Sequence, residues 1–272
     1  MNEQTKQKLI QQGRDFLHYD IHGEDFVSDQ DKKLPQPPLV KAPMRSESID
    51  LPVNFDDLDM NNDFRSVINL RKSHRIYTDE NLSLLQLSYL LWATQGIKSI
   101  RGKSYATIRT VPSGGARHGF ETYLIVRKVE GLKPGKYHYL PMGHKLEYLG
   151  EIDSIEEVIN DSLCKQAWAK KASVVFYWSI VCYRNEWRYG INAHRPLTID
   201  AGHVGQNLYL ACTALNIGTC AIAAYDNTIC DPLFELDGNE EFIMYTAPVG
   251  TVSKKNQDKE DEIYAFVKEQ GL

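Results

Sequence analysis

Arg71 and Arg75 bracket a hydroxyl in the run Arg71-Lys72-Ser73-His74-Arg75. Residues i and i+4 fall on one side of the backbone whether it is helical or extended, so the two guanidinium groups converge in either case. Two planar forks and the Ser73 hydroxyl supply the charge-assisted donors that a phosphate monoester needs, and arginine suits that geometry better than lysine. The alternative is a solvated basic face held in surface ion pairs.

A second run, Pro112-Ser113-Gly114-Gly115-Ala116-Arg117-His118, pairs two glycines, which permit backbone shapes and close approaches that a Cβ blocks. It either cradles a flat ligand or makes a tight turn before a strand, with Arg117 and His118 then on the rim. In the third run, Gly218-Thr219-Cys220-Ala221-Ile222-Ala223-Ala224, small side chains either leave room for a planar ring over their backbone N–H groups or simply pack closely. A flavin suits such a place. Its N5 exchanges hydride and gains from a backbone donor, while its N1/O2 edge gains negative charge on reduction and wants a cation such as Arg75. Cys220 reads by default as a buried, inert thiol.

The elements that must position these runs form an alternating α/β pattern without internal repeats. Ser83 and Gln86 make a capping box ahead of Leu84, Leu87, Leu90 and Leu91, which predicts a helix to about Thr94. Short strands follow at Glu121–Arg127, Lys136–Leu140 and Lys145–Leu149, and a helix from Asp153 to about Lys170. Ala172–Val181 (ASVVFYWSIV) is β-branched and aromatic without alternation, as in a central strand covered on both faces. A long helix runs from Pro196 or Thr198 to Asn216, with Val204, Leu208, Cys212 and Leu215 on one face, Gly218 placed to end it, and Ala201, Gly202 and Gly205 allowing close packing. A strand at Thr219–Ala224, a short helix after Asp231 and a strand at Phe242–Ala247 complete the pattern, and Lys254–Asp261 is a charged loop or tail.

Ahead of this body, Asn2–Tyr19 reads as a polar helix, and His22–Asp63 is rich in Asp and Pro, with LPQPPLVKAP at Leu34–Pro43. Residues 1–62 therefore form an N-terminal helix and extended arm, laid over the body or a partner more readily than offered to an SH3-like module, and 63–272 form the main domain.

Bulk properties remove several function classes. With 42% hydrophobic and 25% charged residues over 272 positions, the chain can bury a sizeable core. A formal charge of -5 argues against nucleic acid as a partner. Five widely spaced cysteines without C-x-x-C fit neither a disulfide framework nor a zinc knuckle, and the absence of an apolar leader or a long apolar span points to a soluble cytoplasmic protein with no membrane partner. P-loop, dinucleotide-fingerprint, zincin and G-x-S-x-G hydrolase motifs are missing, and no metal site is expected.

Taken in order, RKSHRIY (Arg71–Tyr77), LLWATQG (Leu90–Gly96), RTVPSGGARHGFETYLIV (Arg109–Val126) and DAGHVGQNLYLACTALNIGTC (Asp200–Cys220) resemble the nitroreductase family. Within it the chain is most similar to the SagB/ThcOx-type branch of azoline dehydrogenases, over residues of about 65 to 250. The resemblance implies an α+β, nitroreductase-like FMN-binding fold, a central mixed sheet flanked by helices, and an intertwined homodimer with FMN at the interface. On it, Arg71, Ser73 and Arg75 hold the FMN phosphate and ribityl chain, Pro112, Ser113, Gly114 and Gly115 reach the flavin from the other subunit, and Ala221, Ile222 and Ala223 face the ring. Lys254 or Lys255, beyond the Pro248-Val249-Gly250 turn, and Gln166 are further cofactor-binding candidates.

The branch carries a catalytic Lys-Tyr pair where this chain has Arg188-Tyr189, in NEWRYG. Arginine holds its proton at neutral pH, so Arg188 can orient or stabilise charge while Tyr189 is the better proton-transfer group. The expected function is an FMN-dependent oxidoreductase passing hydride from a nicotinamide donor, NAD(P)H, to a small organic acceptor such as a nitroaromatic or quinone. A heterocycle dehydrogenase acting on a peptide or small molecule is one alternative, and an inactive flavin-binding scaffold subunit is another.

Overall fold

The computed structural model describes residues 1–18, 27–255, 257, 258 and 262. In the interior of its main sheet lies β7 (Val174–Val181), and its uniform apolar run has a simple cause. Val174, Phe176, Trp178 and Ile180 enter the core cluster on one face of the sheet, while Val175 and Tyr177 enter the cluster on the other. Side chains alternate across a strand, so a strand covered on both sides shows no polar alternation.

Seven strands make the main sheet in the order β1-β6-β5-β4-β7-β9-β8, with β1 (Ile49–Asp50), β4 (Phe120–Val126), β5 (Gly135–Leu140), β6 (Lys145–Gly150), β8 (Ile217–Thr219) and β9 (Glu241–Thr251). All its ladders are antiparallel, which corrects the expected mixed sheet. The short connections from β4 to β5 and from β5 to β6 can join only antiparallel neighbours. A separate hairpin, β2 (Ile97–Arg101) with β3 (Ala106–Arg109), leads into the glycine run.

One face of the sheet packs against α3 (Leu84–Gln95) and α6 (His194–Ala214), whose Leu87, Leu90, Leu91, Leu197, Val204 and Leu208 are buried there. The capping box of α3 is present, with the Gln86 N–H donating to Ser83 Oγ at 3.1 Å and the Ser83 N–H to Gln86 Oε1 at 2.9 Å. The start of α6 lies ahead of the predicted one because Pro196 sits in its first turn, where a missing N–H costs nothing. Its end is set by Asn216 (φ 54°) rather than by Gly218, which belongs to β8. A Cβ on Gly218 would stand 2.6 Å from Val252 and 2.7 Å from His74.

The opposite face carries α4 (Ile155–Ser162) and α7 (Asn227–Leu233). The helix predicted over 153–170 stops at α4 because Cys164 and Lys165 take φ of 52° and 64°, and only a single turn at Ala169–Lys171 follows. The strand predicted over 219–224 is likewise shorter: past Thr219 the chain leaves the sheet, touching it again in one bridge between Ile222 and Thr246. Several elements went unanticipated: the short strand β1, α2 (Phe64–Leu70), the β2–β3 hairpin and α5 (Cys182–Tyr189), which places NEWRYG at a helix end.

Of the N-terminal region, α1 (Glu3–Leu17) has no buried residue, and the Tyr19 and His22 ends of the predicted helix and arm fall outside the described residues. From Ser28 onward the arm is a strap bonded to the body. The Gln30 N–H donates to Trp187 O at 2.8 Å, the Lys41 N–H to Glu121 at 2.9 Å and the Arg45 N–H to Glu147 at 2.7 Å, and β1 pairs with β6. The strap meets a buried charge network in which His138 lies between Glu147 (2.6 Å) and Glu121 (3.4 Å), and Glu121 also pairs with Arg184. Among the described residues no helix is long and apolar enough to cross a membrane, and the cysteines are unpaired, all buried except Cys164. The charged stretch 254–261 is only partly within the described residues.

Candidate functional site

Two clusters gather the residues singled out in the sequence, and α6 stands between them. The first forms where the extended segment 71–77 lies against the small-residue run that follows β8. The His74 N–H donates to Thr219 O at 2.9 Å, and Tyr77 Oη donates to the carbonyls of His74 and Pro248 at 2.9 and 3.2 Å. Gly250 is required beside this tyrosine, since a Cβ there would approach the Tyr77 ring to 2.9 Å. Tyr209 of α6 reaches into the junction: its hydroxyl is 2.9 Å from Ser73 Oγ and accepts the Ala221 N–H at 2.9 Å, and Arg71 lies 5.4 Å over its ring.

Along the turn, Ala221 and Ile222 donate their N–H groups to Tyr209 and to Thr246 O, whereas the Ala223 N–H has no acceptor among the described residues. Ala223 and Ala224 are exposed. Of the predicted set, Gln166 also arrives here, with its Nε2 3.4 Å from Ala224 O, and Arg75 sits 5.9 Å over the ring of Trp168. Lys254 and Lys255 are exposed just past Val252, which lines the same cleft as Arg71. A cleft of about 300 Å³ runs beside Arg71, Lys72 and His74.

The second cluster is built on the glycine run. Ser113 Oγ accepts the His118 N–H at 2.9 Å, closing the turn, and the Gly114 N–H points at both oxygens of Asp200 on α6, each at 3.2 Å. Gly115 adopts φ +59°, and a Cβ there would stand 2.5 Å from Tyr189 Oη and 2.6 Å from Arg188 Nε. Only glycine fits beneath that pair. Pro112 is exposed at the mouth, and a cleft of about 350 Å³ is lined by Pro112, Ser113, Ala116 and His118.

Arg117 and His118 are buried rather than on a rim. Arg117 donates to Gly115 O and Tyr105 O, both at 3.0 Å, between the rings of Tyr105 and Trp187. Burial, with Arg109 nearby, lowers the His118 pKa to about 3, so its imidazole is neutral. Arg188 donates to Gln30 Oε1 at 3.1 Å and to Tyr105 Oη at 2.8 Å. Burial works against its charge, but its bonds to Tyr189 and Tyr105 more than offset this and raise its pKa, so the guanidinium stays charged. Burial also raises the Asp200 pKa, against the opposing bonds from Ser113 and Gly114.

Asp200 and Tyr209 are nine positions apart on α6, which is about 14 Å of rise and two and a half turns, so they point to opposite sides of the helix. The structure thus brings Arg71, Ser73, Ala221 and Gln166 together, and Gly114, Gly115, Arg188 and Tyr189 together, and holds the two groups apart within one chain. Of the small residues on α6, Gly205 is needed by its own chain, where a Cβ would stand 2.6 Å from the Tyr245 ring. Gly202 has nothing within 4 Å. Sequence reasoning missed Asp200 and Tyr209, although a carboxylate and a phenol on a helix of small and apolar residues were a usable signal. It also missed Gln30 and Tyr105, which no spacing connects to Arg188.

Residues 68–251 match the sequence profile of the Nitroreductase family. A nitroreductase-family protein of Methanocaldococcus jannaschii is 34% identical over 181 residues, covering 66% of this chain and 86% of its own. The trifolitoxin-processing protein of Rhizobium leguminosarum bv. trifolii is 26% identical over 133 residues, 47% of this chain and 36% of that one. Among solved structures, a nitroreductase-like protein of Ralstonia eutropha shares the fold with a TM-score of 0.58 at 22% identity, covering 81% of this chain and 95% of its own.

Proposed function

Since the chain belongs to the nitroreductase family, we propose that it is an FMN-dependent oxidoreductase that moves hydride from NAD(P)H to a small organic acceptor such as a nitroaromatic or quinone. The observation that carries this reading is the first cluster: arginine and serine donors stand beside a turn of small residues whose Ala223 N–H is uncommitted among the described residues. That donor set fits a phosphorylated, planar ligand. Arg71, Ser73 and Arg75 would hold the phosphate and ribityl chain, with Lys254 or Lys255 as a longer-range cation. Ala221 to Ala223 would face the ring, with Gln166 beside them. Bound FMN would supply the two-electron chemistry, and the protein its position and electrostatic surroundings.

Within one chain the glycine run lies on the other side of α6, anchored by a residue about 14 Å of helix rise from Tyr209. This arrangement supports a homodimer, with Pro112, Ser113, Gly114 and Gly115 of one copy closing the site of the other. Tyr189, lying over Gly115, is the proton-transfer candidate. Arg188, charged and held by Gln30 and Tyr105, stabilises developing negative charge and does not act as a base.

A second reading, dehydrogenation of a heterocycle in a peptide, draws on the similarity to the trifolitoxin-processing protein. One series of measurements tests both. Purified protein should be yellow and release FMN on denaturation, and the flavin should bleach anaerobically with NADH or NADPH and recolour with a quinone. Bleaching by an azoline-containing peptide instead, lost in Tyr189→Phe, would favour the second reading. Colourless protein that refuses added FMN would refute both.

A further inference from the structure

We propose that Tyr209 is a positioning residue that couples the two parts of the flavin site carried by one chain, the arginine–serine segment and the small-residue turn; this rests on the FMN reading above. Its hydroxyl touches both parts, 2.9 Å from Ser73 Oγ and 2.9 Å from the Ala221 nitrogen. Its ring lies under Arg71, 5.4 Å from the guanidinium carbon. Its own place is fixed, because its neighbours Leu208, Ala211 and Cys212 on α6 are buried in the core. Burial raises the phenol's pKa, so it keeps its proton through the neutral range and can serve Ser73 and Ala221 together.

The consequence concerns spacing. A ligand with a phosphate at one end and a ring at the other needs both contact sets at a fixed separation, and any freedom between them is lost on binding as entropy. By accepting the Ala221 N–H, Tyr209 fixes the peptide plane that opens the turn, leaving the Ala223 N–H as the outward donor. By meeting Ser73 it sets the phosphate-side segment in the same frame. The segment and β8 are also joined by the His74–Thr219 backbone bond, which does not involve the phenol, so removing the hydroxyl should leave the fold intact.

The test compares wild type with Tyr209→Phe in titrations with FMN and with riboflavin, which has the ring and ribityl chain but no phosphate. Loss of the hydroxyl should weaken FMN binding about tenfold, the size of one good hydrogen bond, and riboflavin less, so that the riboflavin-to-FMN Kd ratio shrinks about threefold or more. Ser73→Ala should weaken FMN binding in the wild-type background and add little to Tyr209→Phe, while the melting midpoint of the ligand-free protein stays near wild type. Equal FMN affinity in both proteins, or equal losses for FMN and riboflavin, would overturn the coupling and leave the FMN reading standing. Failure of wild type to bind either flavin would remove the FMN reading and this inference with it.

Discussion

The two clusters on α6 differ in how they are held and how far they are exposed. Around the glycine run the loop is braced by its own side chains and by those of other elements: Gly114 to Asp200, His118 to Ser113, Arg117 to Gly115 and Tyr105, and Arg188 to Gln30 and Tyr105. Around Ser73 the segment rests on Tyr209 and Thr219, and the turn beside it ends at exposed Ala223 and Ala224. A braced, half-buried loop presents a shape, whereas an exposed turn presents backbone donors. A ligand with a charged tail and a flat ring draws on both kinds of surface, donors for the tail and ring edge, a stiff wall for the ring face.

If the two surfaces meet only across a dimer, mixing should show it. Arg71→Ala and Tyr189→Phe should each lose turnover by about a hundredfold or more. Co-expressed, they should regain about a quarter of the wild-type rate, since half of randomly paired dimers then hold one intact site of two. No recovery would mean that each site lies within one chain, and the contrast between the clusters would lose its meaning.

Gly115→Ala sharpens the comparison from the rigid side. The new Cβ meets Tyr189 and Arg188 at a positive φ, so the loop must shift, and a displacement of about 1 Å near reacting groups costs up to about a hundredfold in rate. FMN affinity should fall much less than in Arg71→Ala. Equal losses of rate and affinity would show that the glycine run binds the cofactor as strongly as the arginines do.

The smallest effect concerns what stiffens that side from below. Burial alone would lower the pKa of His138, but its bonds to Glu121 and Glu147 win and raise it. A raised histidine contributes stability that is fully present below its unfolded pKa of about 6.5 and is lost as pH rises through the folded value. His138→Gln should therefore cost about 3 kcal/mol of unfolding free energy near pH 6 and less near pH 9, as measured by denaturant melts. An equal cost at both pH values would show that the imidazole is neutral in the fold.

Local rules carried far along this chain. The capping box set the start of α3 and the unbroken apolar run marked β7, because each depends on neighbours in sequence or on a face covered whatever covers it. The expected pairing of Arg71 with Arg75 rested on the i, i+4 relation alone; in the fold Arg71 lies over the Tyr209 ring and Arg75 over that of Trp168, neighbours that no short spacing names. Where prediction failed, left-handed residues were the usual cause: Cys164 and Lys165 end a helical pattern that composition alone would continue, and Asn216 takes the part assigned to Gly218. The direction of the strands was likewise set by connections whose length, more than their composition, decides pairing.

By itself the sequence determined the residue types of the site and their family likeness, since donor chemistry and glycine's freedom are properties of single residues and short spacings. Tertiary structure alone decided that Tyr209 joins Ser73 to Ala221, that Asp200 holds the glycine run, and that Gln30 and Tyr105 restrain Arg188 from 158 and 83 positions away. Those contacts depend on how a helix of 21 residues turns and rises between two loops, and that geometry exists only once the sheet has fixed both ends.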